Sequence, residues 1–307
     1  MSLSDIWEVL VLGLVLGSLY AVIAIGYTLV YGVLQLLNFA HSEVFMAGGF
    51  GGLIALTLVE PVADPSGFQS FLYILLGMLA GALLGGAIAF GLEKAAYRPL
   101  RRRHAPRLVF LITAVGASFF LYNLAGKLFG RYPIPMPEMY DNRRLFTLFG
   151  TGISITQTLI LVSAVLMLVG VDFVVNRTKL GAGIRAVAQD AEVASLMGVD
   201  IDKVVSRTFV LGGLMGGVAG FLFGTNLQVE YTMGFLPGIT AFAAAVLGGI
   251  GNVRGAMLGG LTLGVVEAFT VELSSDAWRY VGAFAVLVLV LMFRPTGILG
   301  ERVGRTA

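Results

Sequence analysis

Cysteine is absent from the 307-residue chain, so disulfides, thiol nucleophiles and cysteine-held metals are excluded from the outset. Histidine is almost as scarce. Only His41 and His104 offer an imidazole, and no helical stretch pairs histidine with glutamate at metal-ligand spacing, so a metalloenzyme is not expected. No nucleophile with a base beside it stands out in the apolar runs, which argues against an intramembrane enzyme. Charge is the third shortage: 12% of residues are charged, against about 25% in a soluble globular domain, while 57% are hydrophobic and mean hydropathy is +0.90. A water-soluble fold could not hide that much apolar surface. The formal charge of +2 does not point to nucleic acid, because Lys and Arg sit beside long apolar runs, where orienting the chain in a bilayer accounts for them. The first seven residues hold no Lys or Arg, and no small-residue cleavage site follows, so the N-terminus is expected to be retained.

What is present is a series of apolar runs: 6–31, 40–59, 68–92, 108–130, 153–175 and 209–229, then a more broken region of 236–250, 256–271 and 280–293. A bilayer core about 30 Å thick needs roughly 20 helical residues to cross it, and backbone amides in lipid must be satisfied internally. Barrel strands would alternate in polarity and be about half as long. The expected fold class is therefore all-α, a polytopic transmembrane helical bundle of about eight or nine spans, some short or broken, forming a single domain over 1–307. Segment 93–107 holds Lys94, Arg98, Arg101, Arg102, Arg103 and Arg107, and segment 176–207 holds Arg177, Lys179, Arg185, Lys203 and Arg207. Both are expected to be cytoplasmic loops. Three spans before the first put the N-terminus outside; four after the second, with Arg294, Arg302 and Arg305, put the C-terminus in the cytoplasm. Loop 131–150 then falls outside, and Pro133, Pro135 and Pro137 read as a stiff extended stretch.

Glycine is abundant, 42 residues, and Gly81, Gly85, Gly212, Gly216 and Gly220 follow the four-residue spacing that lets helix backbones approach closely. Segment 176–207 is a polar insertion between spans. Residues 185–197 are expected to form one short helix ended by Gly198, with a small-residue surface at Ala188, Ala191, Ala194 and Ser195. Such a helix reads either as a docking element for a groove on a soluble partner or as an amphipathic helix on the lipid, for which only Leu196 and Met197 would serve as large anchors. Two regions read as interrupted helices: Gly26-Tyr27-Thr28 and Gly32 through Asn38 to Glu43, then Gly248 through Gly255, the latter equally readable as a tight surface turn. Glu43, Lys127 and Glu267 are ionisable groups within or near apolar spans, where charge is costly. Lys127 can snorkel; Glu267 reads as a pathway residue or as one end of an interhelical hydrogen bond.

The order and spacing of several pieces carry a family resemblance: Gly17-Ser18-Leu19-Tyr20-Ala21, Gly26-Tyr27-Thr28-Leu29-Val30-Tyr31-Gly32, Asn38-Phe39-Ala40-His41, Arg185 to Asp190 with Ala194 and Gly198, and Gly248-Gly249-Ile250-Gly251 with Gly255-Ala256 and Gly259-Gly260. Over nearly its whole length the chain resembles the permease subunits of branched-chain amino acid ABC importers, of the LivH type. Ser42 stands where the family pattern has glycine after Asn-Phe-Ala-His. The resemblance implies a multi-pass inner-membrane subunit that pairs with a second permease, two ATP-binding subunits and an extracytoplasmic substrate-binding protein. ATP and magnesium would be held by the partners, since no G-x-x-x-x-G-K-[ST] loop occurs here and no cofactor is expected on this chain. It makes Arg185, Ala188, Asp190, Glu192, Ala194 and Gly198 the ATPase-docking residues, while the polar and ionisable groups already read within the apolar stretches, Thr28, Asn38, Glu43 and Glu267, are the candidates for a translocation path expected to work by alternating access. The competing readings are an ion-coupled secondary transporter of small polar solutes, with Glu267 as its coupling group, and an ABC permease for urea or short amides.

Overall fold

The computed structural model describes residues 3–36, 38–148 and 150–300; Arg302 and Arg305 lie outside them. Its helices are α1 (Leu3–Leu34), α2 (His41–Val59), α3 (Gly67–Leu92), α4 (Arg98–Arg102), α5 (Arg107–Phe129), α6 (Ile155–Arg177), α7 (Lys179–Gln189), α8 (Ala191–Leu196), α9 (Ile201–Asn226), α10 (Phe235–Gly248), α11 (Val253–Leu273) and α12 (Arg279–Phe293). Among the described residues, eight helical stretches are long and apolar enough to cross a membrane. Helix α10 is the short ninth, 14 residues or about 21 Å at 1.5 Å per residue. Every apolar run of the sequence thus carries a helix, and the polytopic helical bundle stands.

Four local expectations change. Helix α1 runs unbroken through Gly26 and Thr28, so the interruption is confined to residues 35–40. Segment 93–107 is a loop only over 103–106: α3 continues through a π-helical turn, Glu93–Tyr97, directly into α4. Helix α9 begins at Ile201, eight residues ahead of its apolar run, because Asp200 accepts a hydrogen bond from the Lys203 amide at 3.0 Å and caps it. Finally, loop 131–150 ends in an antiparallel hairpin, β1 (Arg144–Leu148) with β2 (Thr151–Ser154), which leads straight into α6.

The chain divides into two compact units. One comprises the described parts of Met1–Thr28, Arg144–Asp172 and Ile239–Ala307; the other comprises Leu29–Arg143 and Phe173–Gly238. In the second unit α2, α3 and α9 pack against one another. Gly216 and Gly220 face α2, against His41 and Phe45, while the next stripe round the helix, Gly213 and Gly217, faces Gly81 and Gly85 of α3. A Cβ at Gly81 would sit 2.8 Å from the carbonyls of both Gly48 and Gly217, so three backbones meet where any side chain would push them apart. The pairing order makes α9 parallel to α2 and antiparallel to α3. In the first unit, Gly13 and Gly17 of α1 pack on Val265 and Leu261, so α1 and α11 are antiparallel. Helices α10 and α11 are joined by a tight turn in which Gly249 (φ +107°) and Gly251 (φ +98°) take left-handed backbone and Asn252 caps α11 through the Gly255 amide at 3.1 Å. The turn reading of that segment is the correct one.

Candidate functional site

The insertion after α6 is built by capping. Thr178 accepts from the Gly181 amide at 3.2 Å and starts α7. Gly181 lies against the last carbonyls of α6, where a Cβ could not fit, and the Arg185 guanidinium turns back to donate to the Val175 carbonyl. Arg185 therefore closes the C-terminus of α6, whose unpaired carbonyls need donors. The single helix expected over 185–197 is two helices. Asp190 is extended (φ −157°) and its Oδ1 accepts the amides of Glu192 and Val193 at 2.9 and 3.0 Å, which ends α7 and starts α8. A local cap outcompetes helix continuation at this residue. Gly198, at φ +86°, closes α8 as the sequence suggested. Asp200 then caps α9, and the Lys203 ammonium, 2.9 Å away, together with the Lys203 amide holds the Asp200 carboxyl below its ordinary range.

Of the six residues singled out in this insertion, Ala194 is buried and Ala188 half-buried, whereas Arg185, Asp190, Glu192 and Gly198 are exposed. Ala194 joins Ile184 and Val187 in a cluster with Val30, Val33, Tyr97, Phe110, Val204, Val205 and Phe209. One face of α7–α8 is thus spent holding the segment to its own unit. The other presents Val193, Leu196 and Met197, exposed at 53%, 83% and 80%. Large apolar side chains so open to water on a six-residue helix mark a contact surface.

Beneath that cluster lies a charged lattice that the sequence reading missed. Glu93, in the π turn, is fully buried. Its carboxylate accepts from Arg98 Nε and Arg101 Nη2, both at 3.1 Å, and from Ser206 Oγ at 2.6 Å. Arg101 also pairs with Asp202, which accepts from Arg102 Nη2 at 2.8 Å. Helix α4 is thereby bonded to the first turns of α9. A buried carboxylate is tolerable only when paired and hydrogen-bonded in this way. The available signal was a lone acid at the head of a basic run, with arginines five and eight residues on.

The four path candidates fall into two settings. In the second unit, the Tyr97 hydroxyl donates to Asn38 Oδ1 at 2.6 Å, fixing the connection between α1 and α2. Five residues on, Glu43 Oε1 accepts from Ser118 of α5 at 3.0 Å, with Ser42 Oγ at 3.3 Å. Glu43 Oε2 is buried and has no hydrogen-bond partner among the described residues, and it looks toward Gly234, whose missing side chain leaves room there. In the first unit, Thr28 is buried, its hydroxyl without a hydrogen-bond partner among the described residues. Glu267, fully buried on α11, accepts from the Tyr20 hydroxyl of α1 at 3.0 Å and from Arg279 of α12 at 3.3 Å. Side chains lean toward the N-termini of their helices, so on antiparallel α1 and α11 Tyr20 and Glu267 lean toward each other. Asn38 and Glu43 thus belong to the second unit, Thr28 and Glu267 to the first.

Eight membrane-length helices, a connection between α1 and α2 bearing buried polar groups, and a capped insertion with an exposed apolar face define a polytopic membrane protein. The model of the family described as the branched-chain amino acid transport system / permease component matches residues 9–292. The chain belongs to this family. It is 42% identical over 297 residues to the high-affinity branched-chain amino acid transport system permease protein BraD of Pseudomonas aeruginosa, covering 95% of each chain. It is 37% identical over 293 residues to LivH of Escherichia coli (94% of each), which carries the same description. With the probable branched-chain amino acid transport permease protein LivH of Methanocaldococcus jannaschii it shares 26% identity over 316 residues, covering 97% of this chain and 94% of that one.

Proposed function

We propose that this chain is the membrane-spanning subunit of an ATP-driven importer, forming the path through which branched-chain amino acids or related hydrophobic amino acids cross the membrane by alternating access. The observation that carries the reading is the family match over residues 9–292, together with an insertion that is folded onto its own unit on one side and apolar and open on the other. In this reading Val193, Leu196 and Met197 are the knobs that enter a groove on one ATP-binding subunit, and Glu192 and Asp190 border them. Ala194 acts from behind by seating α8, and Arg185 by tying α7 to α6. A second permease subunit and an extracytoplasmic binding protein complete the assembly, with ATP and magnesium bound by the partners.

The membrane orientation proposed is N-terminus outside and C-terminus cytoplasmic, with α7–α8 on the cytoplasmic side. The basic residues of segments 93–107 and 176–207 support it, and the helix directions within each unit, α1 opposing α11, α9 opposing α3 and following α2, fit alternating crossings of either overall sense. Tyr20 and Arg279 both engage Glu267 Oε1, whereas its Oε2 is buried without a hydrogen-bond partner among the described residues.

Purification of the tagged chain in mild detergent, followed by identification of what accompanies it, tests the assembly. Co-purification of two P-loop ATPases and a homologous permease, with leucine uptake lost on ATP depletion, is the expected result. A solitary chain whose uptake survives ATP depletion and fails when the ion gradient is collapsed would overturn it.

A further inference from the structure

The β1–β2 hairpin has no part in the transport reading, yet it is not built as a plain connecting loop. Strand β2 is the inner one: Thr151 and Ile153 are buried, and Thr151 Oγ1 donates to the Ser4 carbonyl at 3.4 Å at the start of α1. Strand β1 is the outer one, exposed from Arg144 through Thr147. A regular strand would send alternate side chains inward. Here the register slips between Arg144, opposite Ser154, and Phe146, opposite Ile153, so Leu145 is an extra, bulged residue. Bulges re-aim side chains, and this one leaves Leu145 and Phe146 adjacent and exposed at 54% and 45%. The stem of Arg144 crosses over Gly152, where a Cβ would meet Nε at 2.8 Å.

Position in the unit says what meets this apolar pair. Ile153, the partner of Phe146, is two residues from the start of α6, which places Phe146 about 8 Å from the helix entry. Helix α6 exposes Val162, Val165, Leu166 and Val169 along its length, a surface that only lipid or another span can cover. Because α1 and α11 are antiparallel, the turn between α11 and α12, with exposed Trp278, lies at the same end of the unit as the hairpin. Aromatic side chains at the ends of apolar spans mark the headgroup level of a bilayer.

We propose that the β1–β2 hairpin is a membrane-interface anchor, seating Leu145 and Phe146 at the boundary between headgroups and acyl chains and turning Arg144 toward lipid phosphates. The occupant is the bilayer surface itself: the apolar pair lies beside the entry to α6, whose exposed side chains are apolar, and the adjacent charge is cationic. A native chain without cysteine makes the test direct. Single cysteines at positions 145 and 146 carry a spin label in nanodiscs of phosphatidylcholine with phosphatidylglycerol, with Val165→Cys as the lipid reference and Glu192→Cys as the aqueous one. Labels at 145 and 146 are expected to relax more with oxygen than with a water-soluble nickel chelate, as at 165 and opposite to 192. Removing phosphatidylglycerol should shift them toward the aqueous reference, and Arg144→Gln should abolish that shift. Labels that behave like the one at 192, that are shielded from both reagents without any partner, or that become shielded only when an extracytoplasmic binding protein is added would each overturn the proposal, the last in favour of a protein-docking face.

Discussion

Glu93 shows how much one residue can set in an apolar bundle. It is fully buried beside two arginines and a serine, so its removal would take from Arg98 and Arg101 the carboxylate that meets their inner sides and leave a polar void beneath them. Glu93→Ala is expected to cost ~3–5 kcal/mol, seen as a large fall in thermal unfolding temperature in detergent. Arg102→Ala, at the exposed end of the same lattice (67% exposed), should cost no more than about 1 kcal/mol. A contrast of the same kind runs through the glycines. Gly217 has Gly81 and Ala82 backbone where a Cβ would go, so Gly217→Ala should destabilise by about 1–3 kcal/mol or prevent accumulation of the folded chain. Gly170 has nothing within 4 Å, and Gly170→Ala should be neutral or stabilise slightly, since alanine is the better helix former. Quantified yield of monodisperse protein separates the two.

At the scale of elements, α7 and α8 combine two duties on two faces. Leu196→Asp with Met197→Asp is expected to abolish uptake while unfolding temperature stays put, because both side chains are already in water. Ala194→Leu should instead loosen the segment, since the position is buried among Val187, Val204 and their neighbours. Amide exchange of residues 191–197 distinguishes the outcomes: unchanged in the first variant, faster in the second. Asp190→Ala removes the cap that starts α8, a loss of ~1 kcal/mol that should appear as faster exchange at Glu192 and Val193. The neighbouring cap has a pH signature. The Asp200 carboxyl is depressed in the folded chain, so its contribution is present above the ordinary aspartate range and is lost only as pH falls through the lowered value. Asp200→Asn should flatten that acid-side dependence in the exchange of the Lys203 amide.

For the molecule as a whole, the spans were legible because the bilayer imposes a length and an apolarity that few other contexts demand. What stayed hidden has identifiable causes. Glu93 sat in a run that reads as surface charge, and only the π turn reveals that it faces inward. The break at Asp190 depends on a side chain choosing its own backbone, and the role of Arg185 depends on a carbonyl ten residues back in the chain, neither of which hydrophobic periodicity can register. The hairpin arises from strands of five and four residues, one exposed throughout its described side chains, too short for alternation to show. Topology is the prediction that belongs at this scale. In intact cells a membrane-impermeant maleimide should label a cysteine placed at 132 and spare one at 192, and inside-out vesicles should reverse the pattern.

The glycine packing of α2, α3 and α9 has a mechanical corollary. Where backbone rests on backbone there are no rotamers to yield, so the three rods would have very low compliance along their length. Helix α9 starts three residues after Gly198, at the edge of the segment proposed to meet the ATPase, and runs from there directly into this stack. A displacement imposed on α8 would then emerge at the far end of α9 with little attenuation, and the stroke of the transporter would be fixed by the angle through which this stack turns rather than by bending within it.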